Sequence, residues 1–174
     1  YARMLAVEQR SWKGVGHCGM TESPAREFYA DMIRRLAAQG TARVMFARHE
    51  GQDIGFIFGG MLGPCYRGQQ FSYDAAWKDL SIGNLLQVEQ IRSLIKRKVD
   101  LLIISANESE PVTPIAIEAY RAGIPTILVD RKISSDEYTT YIGGNNYEIG
   151  RQAGFFVNRQ VKEKYPTVLE VWGL

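Results

Sequence analysis

Cysteine is scarce in this sequence of 174 residues, which contains only Cys18 and Cys65. Two cysteines are too few for the disulfide framework that stabilises small secreted domains. A zinc site could be imagined from His17, Cys18, His49 and Cys65, but no pair among them has the C-x-x-C or H-x-x-x-H spacing that metal sites favour. We therefore expect neither a disulfide scaffold nor a metal site.

Long apolar runs and charge of one sign are missing as well. No stretch is long enough to span a bilayer, and no segment has the pattern of a signal peptide. The net charge is only +2, and the one short basic run, Lys96–Lys98, falls at the end of a predicted helix, where cations are favourable. A nucleic-acid interface needs a concentrated basic stripe. We expect neither nucleic acid nor membrane as a partner, and because the chain opens on Tyr1 we expect its ends to be cut.

The first part of the sequence has the pattern of a helix followed by an antiparallel meander. Ser23 and Pro24 predict the cap and first position of a helix that ends at Gly40. Three strand-like runs follow, at residues 42–49, 53–62 and 65–73. The connections between them are short turns rich in glycine. Such connections make antiparallel neighbours, because a parallel crossover needs a dozen or more residues.

After Lys98 the pattern changes to strands that alternate with helices. Residues 99–105 form an apolar run of the kind buried on both faces of a parallel sheet. The elements predicted after it are a helix from Thr113-Pro114 to Gly123, strands at 125–130 and 138–143, a helix at 146–160 and a strand at 167–172. This alternation indicates right-handed βαβ units.

The predicted fold class is therefore α/β, with an antiparallel meander and its helices joined to a parallel βαβ half-domain. No linker rich in proline, glycine or serine separates the two parts. We predict that one helix, from Ser81 to about Lys98, serves both sheets. The change of pattern falls inside this helix near residue 91, which divides the chain into residues 1–91 and 92–174. The open edge of a half sheet also predicts self-association.

Several segments within residues 1–91 carry a family resemblance. They are Val7–Gly14 (Val-Glu-Gln-Arg-Ser-Trp-Lys-Gly), the helical residues 28–36, Glu50–Gln52, Tyr73-Asp74 and Ser81–Leu86. With these segments, residues 1–91 resemble part of the GNAT-fold domain of FemAB-like, cellulose-biosynthesis-type acyltransferases. The resemblance implies cytoplasmic N-acyl transfer with acetyl-CoA or another acyl-CoA as cofactor.

Ser81, Gly83 and Asn84 are the candidate acyl-CoA-binding residues. Free backbone N–H groups at a helix start can bind phosphate, and a glycine there allows close approach. An ordinary helix cap explains the same residues and is favoured by the spacing alone. Glu8, Tyr73 and Asp74 are of the types that serve as acid or base. No pattern places those three together, so no catalytic residue is assigned.

Three segments within residues 92–174 carry a second resemblance. They are Val99–Pro111, Ala122–Arg131 and Tyr141–Gly154. With them, this half resembles the first lobe of sugar-binding periplasmic proteins of the ribose-binding and LacI-like kind, and among these the sensor domains of hybrid two-component systems. The resemblance implies periplasmic carbohydrate recognition without catalysis or a required cofactor.

The candidate sugar site lies at the carboxyl ends of the predicted strands, where ligands of open α/β sheets bind. The candidate residues are Ser105 and Asn107 after one strand, Asp130 and Arg131 after the next, and Asn145 and Asn146 before the following helix. Aspartate offers acceptors to sugar hydroxyls, and arginine offers a planar fork of donors. The resemblance implies that Asp130 and Arg131 contact the sugar, whereas an ion pair at the strand end is the alternative. Helix capping is an equal alternative for Asn145 and Asn146.

Three functions stay open at this point. The first is a fusion whose second half is a binding lobe for a pentose or hexose. The second is an acyl-CoA-dependent N-acyltransferase, and the third is a structural or artificial chimera without a function of its own. The family's second lobe would follow residue 174 and its first strand would precede residue 92. A sugar on one open lobe stays wet, so we expect weak or no sugar affinity.

Overall fold

The computed structural model describes residues 1–161, with side chains placed as far as Arg159. The strand predicted at residues 167–172 lies outside the described residues. The described chain forms two compact units, one of residues 1–141 and one that begins at Ile142. Among the described residues, no helix combines the length and the apolar character needed to cross a membrane.

Residues 1–161 form six α-helices and six strands. The helices are α1 (Ala2–Arg10), α2 (Trp12–Val15), α3 (Ala25–Ala38), α4 (Ile82–Lys96), α5 (Ser109–Arg121) and α6 (Asn146–Val161). The strands are β1 (Ala42–His49), β2 (Gln52–Leu62), β3 (Cys65–Tyr73), β4 (Leu102–Ile104), β5 (Thr126–Val129) and β6 (Thr140–Ile142). Short 3₁₀ turns cover Gly19–Thr21 and Ala75–Leu80.

The first sheet is the predicted antiparallel meander, in the order β1-β2-β3. Val44 pairs with Phe58 and Ile57 with Phe71. The central strand β2 contributes to two apolar clusters. Phe56 and Phe58 pack against α1 and α3, whereas Ile57 packs against α4. The glycine turns after β1 and β2 position these strands, and the predicted bounds of β1 and β3 are confirmed.

The second sheet has the order β4-β5-β6, and β4 and β5 are parallel, with Leu102 opposite Thr126. Leu102, Ile104 and Leu128 are buried beneath α5, which contributes an apolar face. The helix α5 connects β4 to β5, as a parallel pair requires. This is the predicted βαβ unit.

Helix α4 belongs to the cores of both sheets. Ile82 and Leu86, near its start, pack with Ile57 of the antiparallel sheet. Ile91, one and a half turns later, packs with Leu102 of the parallel sheet. The predicted shared helix and the predicted α/β class are therefore confirmed within residues 1–141.

Two predicted helix starts are wrong. Ser23 does not cap α3, which begins at Ala25, because its hydroxyl donates to the Glu27 carboxylate at 2.7 Å. Helix α5 begins at Ser109 rather than at Thr113, and Pro114 lies inside it. The Thr113 hydroxyl donates to the Ser109 carbonyl at 2.8 Å, so this first turn is stabilised although Pro114 contributes no N–H.

The predicted strand at residues 99–105 is shorter in the structure, where β4 comprises only Leu102–Ile104. The Val99 N–H donates to the Leu94 carbonyl at 3.5 Å, at the end of α4. Val99 is therefore used to close the helix, and its apolar side chain packs on the same core as the strand.

Candidate functional site

The loop after β4 is held by two side chains of α4. The Gln87 side-chain amide donates to the Ser105 carbonyl at 2.7 Å and accepts from the Asn107 backbone N–H at 2.9 Å. The Asn107 side-chain amide donates to Asn84 Oδ1 at 2.8 Å. Ser105 is exposed and Asn107 is half-buried. The first two candidate sugar-binding residues therefore lie on a loop that is fixed from one side.

The end of β5 presents Asp130 and Arg131, both of which are exposed. Asp130 has a φ of 70°, in the left-handed region that aspartate adopts more readily than most residues. The chain turns sharply there, and the Arg131 N–H donates to the Val129 carbonyl at 2.8 Å. The Tyr141 hydroxyl donates to the Asp130 carbonyl at 2.9 Å, which supports the turn.

The two strand ends meet through Arg131. Its guanidinium group donates to the Asn107 backbone carbonyl. Among the described residues, the Asp130 carboxylate forms no ion pair with Arg131 or with any other cation. The strand-end ion pair that was the alternative explanation is therefore not formed. The exposed carboxylate of Asp130 stands beside the donor-bearing Arg131, at the edge where the carboxyl ends of β4 and β5 come together.

Asn145 and Asn146 belong to the unit that begins at Ile142. Asn145 Oδ1 accepts from the Glu148 N–H at 3.1 Å, and the Asn145 carbonyl accepts from the Ile149 N–H at 2.9 Å. Asn145 is therefore a helix cap for α6, and Asn146 is the first residue of that helix. Their contact with a ligand stays a prediction.

The candidate acyl-CoA-binding residues are largely used for packing α4. A β-carbon on Gly83 would lie 2.9 Å from the Phe71 ring and 3.2 Å from the Tyr73 ring, so this glycine allows α4 to approach β3 closely. Asn84 is only 3% exposed and is bonded to Asn107. Ser81 precedes α4 but its side chain makes no cap hydrogen bond, because its φ of 50° departs from the extended conformation of a capping residue. Binding of acyl-CoA by these residues stays a prediction.

The three acid–base candidates of the first half have different surroundings. Glu8 is fully buried, with Oε1 accepting from the Met20 N–H at 3.0 Å and Oε2 without a hydrogen-bond partner. Asp74 pairs with Arg10 at 2.6 Å and also accepts from the Ala76 N–H at 3.0 Å. Tyr73 is half-buried beside Gly83. Asp74 is thus committed to an ion pair and a cap, whereas Glu8 keeps one oxygen unused.

Lys13 lies near Glu8, in a position that the sequence did not reveal. Its ammonium group donates to the Phe71 carbonyl at 2.8 Å and lies 5.4 Å from the Phe71 ring centre. Burial lowers the pKa of Lys13 below its usual value, and the negative charge of Glu8 opposes that shift. Its main contact ties α2 to the edge strand β3.

The sequence also missed Gln87. Its only signal is its position three residues after Asn84, which places both polar side chains on one face of α4. Periodicity alone cannot tell that this face meets the end of β4. Gln87 and Asn84 are the link between the shared helix and the candidate sugar site.

Two protein-family models match the chain. The model of the periplasmic binding protein domain matches residues 81–173, and the model of the acetyltransferase (GNAT) domain matches residues 1–107. Each match covers more than half of the chain. The two matches overlap at residues 81–107, the segment that contains α4 and β4.

Several known proteins are similar to part of the chain. The D-xylose-binding periplasmic protein of Haemophilus influenzae is 28% identical over 64 residues, which are 37% of this chain and 19% of that protein. The fructose-binding periplasmic domain of a hybrid two-component system is 57% identical, over 45% of this chain and 26% of that one, with a TM-score of 0.44. A Mycobacterium smegmatis protein solved with β-D-fucofuranose is 34% identical, over 49% of this chain and 29% of that one, with a TM-score of 0.44. The chain thus spans less than a third of the length of each of these proteins.

Proposed function

Because this chain belongs to the acetyltransferase (GNAT) domain family over residues 1–107 and to the periplasmic binding protein domain family over residues 81–173, we propose that it is a fusion whose second half binds a pentose or hexose. The site comprises Ser105, Asn107, Asp130 and Arg131, at the carboxyl ends of β4 and β5. The affinity is weak, and the protein performs no chemistry on the sugar. A periplasmic location goes with this function.

The observation that carries the proposal is the exposed Asp130 carboxylate beside Arg131. Within residues 1–161 that carboxylate has no cationic partner, although Arg131 is the next residue. A carboxylate accepts hydrogen bonds from vicinal hydroxyls, and the guanidinium fork donates to hydroxyl or ring oxygens. A neutral polyol that needs both kinds of partner fits this pair better than an ion of either sign.

Weak affinity follows from how open the site is. Ser105, Asp130 and Arg131 are all exposed, so a bound sugar would stay in contact with water on one side. Binding a small ligand costs several kcal/mol of lost freedom before any contact is counted, on the order of 4 or more. A few exposed hydrogen bonds offset that cost only in part.

The proposal predicts a saturable, millimolar response to sugar that depends on Asp130. Fructose, xylose and ribose are titrated separately into the labelled protein, and backbone amide shifts are followed by NMR. Asp130→Asn keeps the side-chain shape but removes a charged acceptor, and we expect about tenfold weaker binding. The matched control is Asp136→Asn, an exposed carboxylate of the following loop, which should bind as the unaltered protein does.

Two results would contradict this proposal. One is the absence of saturable shifts for all three sugars at concentrations up to the solubility limit. The other is an Asp130→Asn variant that binds as tightly as the Asp136→Asn control.

Acyl transfer by residues 1–107 is the second candidate function, and the buried Glu8 favours it. A buried carboxylate with an unpartnered oxygen costs stability and is typical of functional sites. This function implies acetyl-CoA or another acyl-CoA as cofactor and a cytoplasmic location. Acetyl-CoA that binds the native state raises the melting temperature. If neither acetyl-CoA nor a sugar changes the melting temperature, the third candidate, a chimera without a function of its own, is supported.

A further inference from the structure

Asn107 is anchored at three points by groups from outside its own loop. Its backbone N–H donates to Gln87 Oε1, its side-chain amide donates to Asn84 Oδ1, and its carbonyl accepts from Arg131. Of the polar atoms of Asn107, only Oδ1 has no hydrogen-bond partner among the described residues. That atom is therefore left as a fixed acceptor at the edge where the strand ends meet.

Gln87 bonds to this loop in the way that the N–H and C=O of one residue in a parallel neighbouring strand would. One amide donates to the Ser105 carbonyl and accepts from the Asn107 N–H, two residues further along. This spacing reproduces the pairing of a parallel strand, which bonds to alternate residues. Within the described residues β4 is an edge strand of its sheet, so Gln87 satisfies backbone groups that would otherwise need water.

Asn84 determines which way the Asn107 amide points. Asn84 is 3% exposed, and its backbone is fixed because it lies in the first turn of α4. Its Oδ1 accepts from the Asn107 side-chain nitrogen at 2.8 Å, so the Asn107 oxygen faces the other way. Because Asn84 is buried, its side chain has few conformations available, which favours this one arrangement of the two amides.

We infer that Asn84 and Gln87 are positioning residues for sugar binding, which hold Asn107 and Ser105 ready for a sugar without touching it. This inference rests on the proposed sugar-binding function. Preorganisation of this kind raises affinity, because a loop that is already fixed loses less entropy when the ligand binds. Because Asn84 and Gln87 lie on α4, the candidate sugar site also depends on the position of this helix, which packs against both sheets.

The test is a fructose and xylose titration by NMR on the full chain, with variants of α4. Gln87→Met keeps the length of the side chain and removes both hydrogen bonds, and Asn84→Leu removes the acceptor. Both should weaken binding about tenfold. Asn84→Asp retains the acceptor oxygen and should restore binding to within about threefold of the unaltered protein. A residue with a purely structural role would not show this rescue.

The matched control is Gln90→Met, the same change one turn along the same helix. Gln90 donates to the Tyr66 hydroxyl on β3 and, among the described residues, forms no hydrogen bond with the loop that carries Ser105 and Asn107, so its loss should leave sugar affinity unchanged. If Asn84→Leu does not fold, the sugar affinities of Gln87→Met and Gln90→Met can still be compared. Both variants are expected to fold because the two side chains are only half-buried.

The outcomes separate this inference from the function on which it rests. Sugar binding by the unaltered chain that Gln87→Met weakens, and Gln90→Met does not, supports the inference. Binding by the unaltered chain that Gln87→Met and Asn84→Leu leave unchanged overturns it and leaves the sugar-binding function intact. No binding by the unaltered chain overturns the proposed function, and the inference with it.

Discussion

Gly14→Ala is expected to lower the free energy of unfolding by about 3 kcal/mol or more. A β-carbon at Gly14 would lie 2.4 Å from the Glu8 carbonyl oxygen and 2.5 Å from that of Gln9. These are backbone atoms, so they cannot move aside as a side chain can. The change would separate α2 from the end of α1, where the Ser11 hydroxyl donates to the Glu8 carbonyl at 2.7 Å.

Urea unfolding followed by circular dichroism measures this effect. The matched control is Gly68→Ala on β3, where the nearest atoms to a new β-carbon are 3.9 Å away, an ordinary contact distance. Its effect should stay within about 0.5 kcal/mol, as for most surface substitutions. Equal stabilities for the two variants would show that the corner between α1 and α2 is not as tightly packed as the structure indicates.

Leu86→Ala is expected to destabilise the chain by about 2–5 kcal/mol and to affect both sheets. Leu86 is 3% exposed and packs with Ile57 in the antiparallel half. It shares a helix with Ile91, which packs in the parallel half. If α4 packs less tightly against the antiparallel sheet, its packing against the parallel sheet is weakened as well, because both contacts are made by the same helix.

The control for this prediction is the neighbouring Leu85→Ala, because Leu85 is 49% exposed and lies on the outer side of α4. Leu85→Ala changes the helix propensity by the same amount as Leu86→Ala but removes no side chain from the core. We expect an effect within about 0.5 kcal/mol. A Leu86→Ala variant that weakens only the antiparallel sheet would contradict the shared role of α4.

Much of the fold could be predicted because local signals were strong. The bounds of β1 and β3 follow from glycine turns and short connections, which leave little choice of pairing. The apolar run around Leu102 identified the parallel sheet. Helix starts were predicted less well. Ser23 and Thr113 are of residue types that cap helices, but their hydroxyl groups donate to the Glu27 carboxylate and to the Ser109 carbonyl.

The sequence could predict only the part of the candidate sugar site that follows from the order of the parallel strands. The carboxyl ends of neighbouring parallel strands must meet, which brings Asp130-Arg131 to Ser105 and Asn107. The contact between Asn84 and Asn107 joins residues that are distant in sequence and depends on how α4 is rotated over β4. Periodicity predicts the apolar face of a helix but not which polar side chain of its rim reaches a given loop.

The overlap of the two family matches has a structural counterpart. Residues 81–107 match both families, and they contain the helix that packs in both cores. A helix with Leu86 on one core and Ile91 on the other satisfies both sheets at once. A helix shared in this way joins the two sheets without a separate linker.

Hydrogen exchange measured by mass spectrometry in increasing urea tests the shared helix most directly, since it reports the stability of each segment separately. The segments compared are β2 in the antiparallel sheet and β4 with β5 in the parallel sheet. We predict that both lose protection at the same urea concentration and that Leu86→Ala lowers that concentration equally for both. Protection of one sheet at urea concentrations where the other has already exchanged, or a Leu86→Ala effect confined to β2, would contradict the account.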